Sequence, residues 1–155
     1  MFPAYNCIAT GIGSLPLTDP AKAVALVLRH LPEAPIWLEE GIASLYEGFS
    51  FGKTGEIRGV KNWRWPALVA ALSQPEKRQT VRIDALFSMS YETFRGADES
   101  LNYALARYFC LWLEHKSLLW PFYHTWRDGY RSDETGEKAF LAVVGSQPSE
   151  VNVAW

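Results

Sequence analysis

Histidine, cysteine and methionine are scarce in this chain: three, two and two copies among 155 residues. A zinc centre draws three or four His, Cys, Asp or Glu ligands together, commonly with two of them on one helix at i and i+4. His30, His115 and His124 stand too far apart for that pairing. His30 and His115 each fall at the end of a helical pattern, where the macrodipole favours a cation. His124 follows Tyr123 on an aromatic-rich helix and reads as packed or solvated. Cys7 and Cys110 can make one bridge at most, too few for a disulfide scaffold. Cys110 also lies in a strongly apolar pattern, where a small buried thiol is ordinary. No serine or cysteine reads as a nucleophile, since spacing ties none to a histidine and no Gly-x-Ser-x-Gly elbow is expected. Basic excess is missing too: a net charge of −2 and a pI near 5.9 argue against a nucleic-acid surface. No apolar run approaches the ~20 residues that span a bilayer, and no charged leader with an apolar core opens the chain. Together these absences predict a soluble, cytoplasmic product without nucleic-acid or membrane partners.

Apolar and aromatic material is plentiful, at 48% and 14%, enough for the core of one domain. Its spacing is mostly helical. Thr18-Asp19-Pro20 starts a helix that runs to about His30, and Leu31-Pro32-Glu33-Ala34-Pro35 breaks it. Gly11 and Gly13 ahead of that helix make a weak phosphate-loop signal beside the plainer reading of a turn. Pro35 opens a second helix, in which Trp37, Leu38, Ile42, Leu45 and Tyr46 share a face. Phe49 and Phe51 alternate with small residues, predicting a loop or short hairpin across Lys53-Thr54-Gly55. Further helices are expected from Ala67 to Ser73, from Asp98 or Ser100 to His115, from a Ser117 cap onward, from Asp133-Glu134-Thr135 to Gly145, and from Ser149-Glu150. The fold class expected is mainly α: a single helical domain over residues 1–155, with one small β-hairpin near residues 49–60.

Within the second helix, Glu39 and Glu40 are the leading chemical candidates. Adjacent helical residues point about 100° apart, so one carboxylate can turn inward while the other stays wet. An inward carboxylate needs a metal, a cation or several donors. The plainer reading is that both are acids favoured near a helix N-terminus. A His30, Glu40 and Glu47 cluster across the Pro32–Pro35 turn is the metal set the spacing allows but does not require.

Two resemblances cover different parts of the chain. Thr10-Gly11-Ile12-Gly13-Ser14-Leu15-Pro16, with Thr18-Asp19-Pro20 and Leu31-Pro32-Glu33, resembles the amino-terminal strand and helix of the cobalamin-independent methionine synthase and uroporphyrinogen decarboxylase-like barrels. Such barrels take ~250 residues, so this chain cannot complete one. The histidine those families carry after Ser-Leu-Pro is here Leu17. From Trp37 onward the chain is similar to the helical part of gluzincin, or peptidase-MA-like, zinc metallopeptidases. Trp37-Leu38-Glu39-Glu40-Gly41-Ile42-Ala43 with Tyr46-Glu47 carries that likeness, along with the Ala104–His115 helix and the stretch from Trp120-Pro121-Phe122-Tyr123 to Gly136-Glu137-Lys138-Ala139-Phe140.

The peptidase resemblance implies that Glu40, just before the glycine, inherits the third zinc-ligand position. It implies an upstream His-Glu-x-x-His helix as well, and the counterpart here reads Ala21-Lys22-Ala23-Val24-Ala25. Both histidines and the glutamate that would activate water are therefore missing. The expectation is a degenerate, non-catalytic metallopeptidase-like domain with residues 1–35 barrel-like and 36–155 peptidase-like, no cofactor, and a peptide or protein as its partner. Two alternatives stand beside it: an active zinc hydrolase with an atypical ligand set that includes Glu40 and His30, and a methyltransferase-related fragment.

Overall fold

A computed structural model of the protein describes residues 34–152. They form a mainly α-helical domain, with nine α-helices and one two-stranded hairpin among them. The helix expected before Pro35, with His30 and Cys7, lies outside the described residues.

Helix α1 spans Ile36–Leu45 and starts at Pro35, whose carbonyl accepts from the Leu38 and Glu39 N–H groups at 2.9 and 3.1 Å. A proline costs nothing there, because the first N–H groups of a helix have no partner within it. Strands β1 (Phe49–Phe51) and β2 (Ile57–Gly59) then pair antiparallel. Short helices follow: α2 (Trp65–Leu72), α3 (Pro75–Arg78), α4 (Ile83–Phe87) and α5 (Tyr91–Phe94). The central rod is α6 (Glu99–His115), succeeded by α7 (Leu119–Gly129), a 3₁₀ turn (Tyr130–Ser132), α8 (Glu137–Val144) and α9 (Pro148–Val151).

The two helices with the broadest apolar faces, α1 and α6, pack on each other, and glycine sets how closely. A Cβ on Gly41 would sit 2.7 Å from Cys110 Sγ and 3.0 Å from the Ala106 carbonyl oxygen, so only glycine fits without displacement. Trp37 lies at the centre of an aromatic core: its ring centroid is 4.7 Å from Phe87, 5.4 Å from Phe109 and 5.8 Å from Phe122. Phe140 of α8 completes the cluster, 5.3 Å from Phe87 and 6.0 Å from Phe122. Such rings bury large apolar areas and gain further from tilted and edge contacts.

Two polar residues of α6 tie the hairpin to this core. Glu114 accepts the Tyr46 hydroxyl and the Gly59 N–H, both at 2.9 Å. Burial first, then the Glu114 charge, pushes the Tyr46 hydroxyl pKa up, so it stays a donor. Arg107, fully buried, donates to the carbonyls of Ser44 and Val60.

Several helix ends differ from the sequence expectation. Ser117 does not cap α7; it takes a left-handed conformation (φ 59°) that ends α6, with Leu118 N–H reaching back to the Leu113 carbonyl at 2.8 Å. Asp133 does serve the start of α8, accepting from the Lys138 and Ala139 N–H groups at 3.2 and 2.8 Å, although the helix itself begins only after Gly136. Gly145 ends α8 in a left-handed conformation, as expected of a C-terminal glycine. Gln147, rather than Ser149, caps α9 through a reciprocal pair with Glu150. The polar stretch from Gln74 to Gln79 contains the one-turn α3.

Candidate functional site

Glu40 follows the first turn of α1 on its half-buried side. Its carboxylate takes a guanidinium N–H of Arg95, the residue that terminates α5, and the pair retains 19% and 37% side-chain exposure. Tyr103, one turn into α6, stands beside the same carboxylate. Burial and then the neighbouring Glu40 push its hydroxyl pKa up, leaving it protonated and able to donate. Arg95 also reaches Glu99 at 3.2 Å. Burial works against its charge, but Glu40 and the other neighbours outweigh that and raise its pKa.

Glu47 lies just past the end of α1 and has its own guanidinium, Arg64, at 3.2 Å. Both arginines meet the Tyr103 ring, with guanidinium carbons 5.4 Å (Arg64) and 5.3 Å (Arg95) from its centroid. Arg64 stacks over the exposed Trp63 at 4.1 Å, and Arg95 lies 5.6 Å from the exposed Tyr91. The result is a ladder of alternating rings and guanidinium groups, Trp63–Arg64–Tyr103–Arg95–Tyr91, edged by the carboxylates of Glu40, Glu47 and Glu99. Glu39 is partly buried as well, so the two neighbours are not divided into one wet and one dry.

These surroundings do not fit a zinc ion. A divalent cation at Glu40 would have to displace Arg95 or sit beside its positive charge, and the opposing hydroxyl is a protonated phenol. Among the described residues no three His, Cys, Asp or Glu side chains come together in a metal-holding group. His115 is exposed at the end of α6, and His124 lies 5.8 Å from the Tyr123 ring on α7. His30 lies outside the described residues. What the cluster does is neutralise a carboxylate and brace α1 against α5 and α6.

Sequence reasoning identifies Glu40 and Glu47 but misses Arg95, Arg64 and Tyr103, because 55 residues separate Glu40 from Arg95 and no local pattern marks the partner. It also passes over a spacing: Gly48-Phe49-Ser50-Phe51-Gly52 does spell Gly-x-Ser-x-Gly. Ser50 sits inside β1 opposite Arg58, however, and not on a strand-to-helix turn, so it is no nucleophile elbow. Cys110 is a free thiol, fully buried, whose pKa burial pushes up, which makes it inert. Among the described residues no helix is long and apolar enough to cross a membrane. No protein-family model, curated protein or solved structure matches the chain.

Proposed function

We propose that this chain is a degenerate, non-catalytic metallopeptidase-like domain whose role is binding. The observation that carries the reading is the partnership of Glu40. The residue that the peptidase resemblance makes a zinc ligand has an arginine as its counter-ion and a protonated tyrosine beside it. The sequence adds that Ala21-Lys22-Ala23-Val24-Ala25 stands where a His-Glu-x-x-His helix would supply two ligands and the general base. A carboxylate that has lost those partners is costly to leave unpaired in a half-buried place, and a guanidinium restores the balance.

Thermal unfolding with and without metal tests this. A ligand that binds only the folded state raises the melting temperature. The expectation is a midpoint unmoved by added zinc or by a chelator. A zinc-dependent rise that disappears in Glu40→Ala, accompanied by chelator-sensitive peptide hydrolysis, would overturn the proposal in favour of a hydrolase with an atypical ligand set.

A further inference from the structure

Among the described residues, one edge of the hairpin meets a partner and the other is open. Gly52 N–H donates to the Glu56 carbonyl at 2.8 Å and Val60 N–H to the Gly48 carbonyl at 3.3 Å. Hydrogen-bonded and non-bonded pairs alternate along an antiparallel ladder. Ser50–Arg58 is therefore the bonded pair between those two, while Phe49–Gly59 and Phe51–Ile57 are non-bonded pairs whose backbone groups point outward. On the β2 side this alternation accounts for Gly59 N–H, which turns out of the hairpin and donates to Glu114 of α6. On the β1 side, the N–H and C=O groups of Phe49 and Phe51 face away from β2. All three β1 residues are exposed, with the Phe51 ring 68% accessible and stacked edge-on against Phe49.

An unpaired strand edge flanked by apolar rings is a template for another strand, and proteins that leave one open need a reason. The turn next to this edge is tied by hydrogen bonds. Gly55 adopts φ 83° at the tip, Gly55 N–H donates to the Gly52 carbonyl at 3.0 Å, and Glu56 is bound by Thr54 and Arg58, which lower its pKa to about 2.

Charge selects the occupant. Between Glu47 and Arg64 the chain carries Lys53, Arg58, Lys61 and Arg64 against Glu47 and Glu56; Arg58 pairs with Glu56 and Arg64 with Glu47, which leaves the exposed Lys53 and Lys61 as the excess. The segment is thus locally cationic in a chain whose net charge is −2. A second copy of β1 laid edge to edge would bring like charges together, which disfavours self-pairing.

We propose that the β1 edge takes an extended, acidic segment of a partner protein as a third strand. The outward N–H and C=O groups of Phe49 and Phe51 pair with its backbone, and the excess charge of Lys53 and Lys61 attracts its carboxylates. This stands apart from the reading of Glu40 and holds whether or not that residue carries a metal.

The test uses the full chain and two fluorescein-labelled heptapeptides, one alternating glutamate with valine and one alternating lysine with valine, read by anisotropy. The glutamate peptide should bind saturably, weaken as salt is raised, and bind more tightly than the lysine peptide. Phe51→Pro deletes an outward N–H that the hairpin itself does not use, so circular dichroism should be retained while affinity falls about tenfold, the worth of one such bond. Should that variant lose its fold, Lys53→Glu with Lys61→Glu serves instead and should reverse the preference between the peptides. No saturable binding of the glutamate peptide, equal binding of both peptides, affinity untouched by Phe51→Pro or by charge reversal, or a concentration-dependent dimer abolished by Phe51→Pro would each overturn the proposal.

Discussion

Glu40 and Arg95 form an ion pair that joins α1 to the end of α5. Each retains some exposure, so screening limits what the pair contributes. A double-mutant cycle of Glu40→Gln and Arg95→Ala, followed by urea unfolding, should return a coupling of about 0.5–1 kcal/mol that shrinks as salt is raised. Glu114 is more consequential, because two donors from different elements converge on it. Glu114→Ala should destabilise by about 1–3 kcal/mol, by leaving Tyr46 and the Gly59 N–H without their acceptor. At Gly41 the constraint is spatial. Gly41→Ala gains helix propensity of ~1 kcal/mol but presses a methyl group onto Cys110 and the Ala106 carbonyl. We expect a net loss of about 1–2 kcal/mol, since overpacking commonly costs more than the propensity returns. Adding Cys110→Ala should recover only part of it, because it removes the sulfur and leaves the carbonyl oxygen in place.

Among the elements, those with long, one-sided apolar periodicity are legible in the amino-acid sequence itself. Helix α6 begins and ends within a residue of its expected bounds, and the hairpin turns at Lys53-Thr54-Gly55 as the spacing predicts. Helix caps are less legible: Ser117 is a capping type by composition, yet the chain uses it to terminate α6, because the Leu113 carbonyl must find the Leu118 N–H. The join between α4 and α9 leaves no trace in local spacing, since it depends on Asn152, which accepts from Ile83 N–H at 2.6 Å and donates to Asp84 at 2.8 Å. That join carries a pH dependence. Arg82 first, with help from Asn152, holds the Asp84 pKa below its ordinary 3.8. A depressed carboxylate pKa contributes stability above the unfolded value and loses it as pH falls through the folded one. Unfolding midpoints taken from pH 6 downward should therefore decline less steeply below ~4 in Asp84→Asn than in the parent chain.

For the molecule as a whole, the fold class follows from composition and periodicity because burying apolar faces is a property of many residues at once. The candidate site does not, because its electrostatics depend on which cation meets which carboxylate across the fold. Nothing around Ser90-Tyr91-Glu92-Thr93-Phe94-Arg95 says that its last residue will face Glu40. The central claim is that an arginine has taken the place of a metal at Glu40, and the zinc content of the purified chain tests it most directly. Elemental analysis after exhaustive dialysis should find zinc far below one atom per chain, with no difference between the parent and Glu40→Ala. One zinc per chain, retained through dialysis and lost in Glu40→Ala, would contradict it.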